Sequence, residues 1–151
     1  MTEQTNEAVV SELIGQARDR SSWEKRLEAL KELEQYDTPK VRETIIGLAL
    51  RDRVYAVKQE AVNMANRLNY TKDGQKIVLT KKNTGYKNSD FTKVFHQVKR
   101  DLELGDFEFE LESFKEQFKE VNPEMYDVMQ YEHKDGFDQW MENKYMNLPK
   151  K

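Results

Sequence analysis

Imidazoles, carboxylate pairs and lysine clusters are the side chains of this chain that could do chemistry. It holds two histidines, His96 and His133, and no cysteine. His133 lies near Glu132, Asp135 and Asp138, the one grouping that resembles a ligand set for a metal. Asp135-Gly136 reads more simply as a turn before a final helix. His96, between Phe95 and Gln97, reads as a boundary residue beside an apolar stripe. No His-Glu-x-x-His, His-x-His or Gly-x-Ser-x-Gly occurs, and the six glycines form no phosphate-binding loop. Carboxylates recur at i and i+4 over 101–124, which places them on a charged helix face where acid–base work would need a cleft. Without cysteine there is no thiol nucleophile, disulfide, zinc finger or iron–sulfur cluster. The expectation is a protein that is not an enzyme and that holds no metal or cofactor.

Charge offers a second kind of chemistry. The net charge of −3 hides a segregation. Residues 70–100 carry eight basic and two acidic side chains, and residues 101–132 carry two basic and eleven acidic ones. Lys72, Lys76, Lys81, Lys82 and Lys87 could neutralise phosphates, and Lys93, Gln97 and Arg100 could face a groove from one helix. Tyr86 could stack on a base. Nucleic-acid binding through 72–100 is therefore one reading, with Lys81, Lys82, Tyr86, Lys87, Lys93 and Arg100 as its contacts. The other is that the acidic block folds beside the basic one and neutralises it.

The elements that must position these groups are helices. Leu, Ile, Val and Phe make up 34 of 151 residues, just above the rough 20% line for disordered chains. They fall in regular stripes. Ala8, Val9, Leu13, Ile14 and Ala17 form the first, with Thr5 as its cap. Ser21-Ser22-Trp23-Glu24 reads as a capping box capped by Ser21, ahead of Trp23, Leu27, Leu30 and Leu33. Thr38-Pro39 opens a third helix with Val41, Ile45, Leu48 and Ala49. Val54, Val57, Ala61, Ala65 and Leu68 make the fourth. Turn-rich residues follow from Asn69, and Lys76–Thr80 reads as a short extended segment. A helix capped at Ser89 or Asp90 carries Phe91, Val94, Phe95, Val98 and Leu102 and stops at Gly105. Leu111, Phe114, Phe118 and Val121 form the next stripe. Asn122-Pro123 caps a short helix through Met129, a loop spans Tyr131–Gly136, and Phe137, Trp140, Met141 and Tyr145 mark the last helix. No run approaches the ~18–20 apolar residues of a membrane span, and residues 1–20 lack a signal-peptide pattern. A cytoplasmic protein without membrane contact is expected.

At an offset of 32, Trp23 falls on Tyr55, Arg26 on Lys58, Glu28 on Glu60, Ala29 on Ala61 and Leu30 on Val62. Paired amphipathic helices at such a period suggest an α-solenoid. The stretch from Trp23 to Leu33, then Asp37-Thr38-Pro39, then Val54 to Ala61 resembles HEAT-like repeats over residues 20–69. The second half is similar to the C-terminal extension of small bacterial HEAT-repeat proteins, through Glu112–Phe118, Asn122–Asp127, Phe137–Asn143 and the Leu148-Pro-Lys-Lys stretch. The resemblance implies an all-α fold: a short HEAT-like superhelix over 1–69, a basic connector over 70–90 and a helical cap packed on the repeats over 91–151. It implies a non-enzymatic interaction or scaffold module for an unknown protein partner. Trp23, Tyr55, Arg51 and Arg53 are its candidate contacts, because aromatics and arginines make efficient anchors. A weaker analogy is with HEAT-like DNA glycosylases, where Arg42, Arg51, Arg53, Lys58 and Arg67 would line a cradle for which the chain looks short.

Overall fold

The computed structural model describes residues 3–149, with side chains from residue 6 onward. Among the described residues the chain is all-α apart from one two-stranded hairpin, and it divides into two compact units, residues 1–84 and 85–151. The division falls between Thr84 and Gly85, inside the stretch read above as the 70–90 connector.

The first unit holds α1 (Glu3–Ala17), α2 (Trp23–Leu33), α3 (Pro39–Arg51) and α4 (Tyr55–Arg67). α1 packs on α2 and α3 on α4, while α1 also lies against α3 and α2 against α4. Two helical hairpins are therefore stacked like upon like. Their interior is built from alanines and aliphatic side chains, among them Ala29, Leu30, Leu33, Val41, Ile45, Val57, Ala61 and Met64, all fully enclosed. Small Ala29 and Ala61 let helix axes approach closely, since close packing leaves room only for what fits.

Local chemistry fixes the helix ends. Asp19 Oδ1 accepts the Ser21 amide at 2.9 Å. That turn diverts Ser21, so Ser22 caps α2 by accepting from the Lys25 amide at 3.2 Å, one residue later than expected. Thr38 caps α3 through the Val41 amide with Pro39 in the first turn, as its sequence predicts. The expected cap at Thr5 falls inside α1, and its side chain lies outside the described residues. α4 ends with Asn69 in the left-handed region (φ 59°), while the Tyr70 and Asn69 amides reach back to Ala65 and Asn66. This closure satisfies the free carbonyls and turns Tyr70 inward. β1 (Thr71–Lys72) and β2 (Gln75–Lys76) then pair antiparallel about Asp73-Gly74, both with positive φ.

The second unit holds α5 (Asn88–Asp101), α6 (Leu111–Val121), α7 (Pro123–His133) and α8 (Phe137–Met146), each packed on the next. Its interior is aromatic. Phe95 is the hub, with ring centroids 4.9 Å from Phe114, 5.3 Å from Phe118 and 5.7 Å from Trp140, all edge-on. Three boundaries differ from expectation. The N-cap of α5 is Lys87, whose amide bonds the Asp90 carboxylate at 2.8 Å, so Asp90 sits inside the helix. α5 ends at Asp101, ahead of Gly105, because Glu103 takes the left-handed position (φ 54°) and its amide and that of Leu104 close on Arg100 and Lys99. α7 runs on to His133, and a single 3-10 turn replaces most of the expected loop. Lys150 and Lys151, part of the C-terminal resemblance, lie outside the described residues.

One ion pair is locked inside the first unit. Arg26 is 1% exposed and Asp52 3%. The guanidinium donates to both carboxylate oxygens, Nε to Oδ2 at 2.9 Å and Nη2 to Oδ1 at 3.2 Å, and Nη1 donates to the Asp19 carbonyl at 2.8 Å. Asp52 Oδ1 also accepts the Val54 amide at 2.9 Å, and Arg20 stands 3.8 Å away. The pair thus ties α2 to both hairpin turns. Arg26→Ala strands a buried carboxylate and costs about 3–5 kcal/mol. Arg26→Met with Asp52→Asn, which keeps an acceptor for Val54, costs less than Arg26→Ala alone; urea denaturation of both variants checks this. Glu103→Gly removes a side chain from a left-handed residue and raises stability by about 1 kcal/mol, read as a higher thermal midpoint.

Candidate functional site

The proposed anchors gather at the edge of the first unit that carries the buried pair. Trp23 and Tyr55 are the half-buried first residues of α2 and α4. Arg51 and Arg53 flank Asp52. Arg51 is exposed and folds back along α3, where a Cβ on Gly47 would come within 2.9 Å of its Nη2. Arg53 Nη1 donates to the Thr84 carbonyl at 2.8 Å, which pins the end of the segment leaving the hairpin. The four residues share one edge, and at least Arg53 has a structural bond there.

The turns at this edge are built alike. Asp52 bonds the amide of Val54 two residues on, as Asp19 bonds that of Ser21. Asp19-Arg20 and Asp52-Arg53 are 33 residues apart, against 32 for the helices that follow. The extra residue is absorbed between turn and helix: α2 starts four residues after Asp19, α4 three after Asp52.

A groove of about 1060 Å³ runs between α1, the α2–α3 turn and the start of α3. Val10, Ile14, Tyr36 and Pro39 contribute its apolar lining. Glu7, Asp37, Glu43, Arg18 and Lys40 also line it. None of the four sequence-derived anchors lines it. Sequence periodicity could not find the groove, because its lining joins one face of α1 to a turn two elements later.

The basic stretch is divided by the unit boundary. Lys72, Lys76, Lys81 and Lys82 belong to the first unit, and Tyr86, Lys87, Lys93 and Arg100 to the second. Among the described residues Lys72, Lys76, Lys81, Lys87 and Lys93 are exposed and make no ion pair, whereas Lys99 pairs with Asp106. Arg100 bonds the Gln97 side chain at 2.8 Å. Tyr86 is half-buried, its ring 5.8 Å from that of Phe91 and its hydroxyl 3.5 Å from Glu124. Of the arginines suggested for a DNA cradle, Arg42 pairs with Asp37 at 3.3 Å and covers the Tyr70 ring, and Arg67 pairs with Glu34 at 2.9 Å and Glu60 at 3.3 Å. Lys58 is half-buried.

In the second unit a hollow of about 560 Å³ is lined by His96, Arg100, Leu104, Phe107 and Tyr145. Phe107 is 70% exposed there, with φ 63°. Tyr145 donates its hydroxyl to the Gly105 carbonyl at 3.0 Å, and burial pushes that phenol up from its ordinary range. His133 stacks flat on Trp140 at 4.7 Å, and Asp138 pairs with Lys115 at 3.2 Å. Among the described residues no three His, Asp or Glu side chains converge as a metal site, and no helix is long and apolar enough to cross a membrane.

Burial holds the His133 imidazole below its ordinary value, Glu132 opposing the shift and Lys144 adding to it. The folded chain therefore binds the proton less readily than the unfolded chain, and stability falls as pH drops through about 6.5. Thermal melts between about pH 7.5 and 5.5 are expected to show a falling midpoint for the wild type and a flatter profile for His133→Phe.

The chain matches no protein-family model, no curated protein and no solved structure.

Proposed function

We propose that the first unit is a short HEAT-like stack of two helical hairpins and that the chain is a non-enzymatic protein-binding module. The groove beside α1 carries this reading. Val10, Ile14, Tyr36 and Pro39 supply apolar surface, and charged side chains of both signs line the same groove. Apolar surface combined with polar and charged groups is the composition of a protein interface. From Asn6 to Ile14 the lining follows one face of α1, and Arg18 just past its end extends it to about 18 Å, at 1.5 Å per residue. That length suits about three turns of an amphipathic helix laid into the groove by its apolar face. Two further observations support the repeat reading: the hairpins stack like upon like, and Asp19 and Asp52 build matching turns. The edge with Trp23, Tyr55, Arg51 and Arg53 is the second surface of the same module.

Ser11 lines the groove and is exposed, so Ser11→Arg obstructs it without touching the core. Affinity capture from a nuclease-treated lysate of the source organism is expected to retain a defined protein on the wild type. Retention falls by about tenfold or more on Ser11→Arg, as loss of a central contact implies. Retention that vanishes with nuclease, or that Ser11→Arg leaves unchanged, overturns the proposal.

A further inference from the structure

We propose that Val78–Lys81 is an edge for strand addition and that it takes an extended, acidic segment of a partner protein. This surface stands apart from the α1 groove and rests on different residues. The β1–β2 ladder has two pairs and stops at Lys76. Alternation continues beyond it: Ile77 is 2% exposed, Val78 68%, Leu79 half-buried and Thr80 exposed. A burial period of two is that of a strand with one side on a core. Among the described residues the backbone N–H and C=O groups of Val78, Leu79, Thr80 and Lys81 make no hydrogen bond. Ile77 anchors one end of the segment, and the bond from Arg53 to Thr84 anchors the other. A held row of unpaired backbone groups is a template for another strand.

Charge selects the occupant. Lys72, Lys76 and Lys81 are exposed and without an ion pair among the described residues, and Asp73 is the one acid within 71–81. At about 3.3 Å per residue, Lys76 and Lys81 stand roughly 17 Å apart. Five residues is an odd spacing, so the two lysines project from opposite faces of an extended segment, and a peptide with one carboxylate on each face, five residues apart, meets both. Val78 offers an aliphatic contact on the face of Lys76. A single-stranded nucleic acid would need rings to stack on. Residues 77–81 have none, and the neighbouring Tyr70 is 7% exposed.

The probe is a fluorescein-labelled octapeptide of valine and threonine with glutamates at its second and seventh positions, titrated into the full chain by fluorescence anisotropy. Saturable binding is expected, with hydrogen-exchange protection appearing at Val78–Lys81. Methylating alternate peptide nitrogens, which keeps every charge and removes backbone donors, is expected to weaken binding by about tenfold or more. Lys76→Glu with Lys81→Glu weakens it at low salt. Absence of binding, equal binding of the methylated peptide, or protection elsewhere in the chain overturns the proposal. So does displacement of the peptide from this edge by an oligothymidylate that binds more tightly.

Discussion

Arg26 and Asp52 lie where water does not reach, and the first unit is arranged around keeping both satisfied. A buried ion loses several kcal/mol of hydration, which a partner restores only with good geometry and with its remaining bonding positions filled. Both conditions hold. The guanidinium fork meets the carboxylate side-on, its third nitrogen takes the Asp19 carbonyl, and the carboxylate takes the Val54 amide as well. One pair therefore connects α2, the α1–α2 turn and the α3–α4 turn. The two hairpins share a mostly aliphatic interface that would tolerate sliding. A directional bond inside that interface sets which turn lies beside which, and so which edge carries Trp23, Tyr55, Arg51 and Arg53.

The two units reach stability by different means. In the first, alanines and branched aliphatics allow close helix approach. In the second, large rings around Phe95 fill the space between four shorter helices, and edge-on contacts give each ring a preferred orientation. Long charged side chains cover both. They account for the high charge of a chain whose apolar residues are few and mostly buried or half-buried.

The charge blocks do not simply cancel. Lys99 joins Asp106 across the junction of basic and acidic sequence, while several other lysines carry no ion pair among the described residues. Asp101 instead accepts from Gln97 and Gln117, and Lys115 meets Asp138. Acidic helix faces here bond neutral amides and nearby lysines of their own unit. The exposed cations beside the hairpin are left available to an acidic partner.

Helix identity was legible from sequence, because a helix face is a local property. Val41, Ile45, Leu48 and Ala49 show their burial in their spacing alone, as do Phe91, Val94, Phe95 and Val98. Thr38-Pro39 and Asn122-Pro123 likewise carry their caps in neighbouring residues. Choices between near-equal local options were not legible. Ser21 and Ser22 are both good caps, and the Asp19 carboxylate decides between them. Glu103 and Gly105 both lie near a helix end, and the closure onto Lys99 and Arg100 selects the residue less suited to it. Arg26 lay on the apolar stripe, three residues after Trp23 and four before Leu30, a position where a charge needs an anion. Which anion answers it is a matter of distance in space, 26 residues along the chain. The sequence by itself determined periodicity, turns and the all-α class, since each depends on residues within one or two helical turns. Tertiary structure alone decided the buried pair, the groove beside α1 and the unbonded backbone groups after the hairpin, since each exists only where separate segments meet or fail to meet.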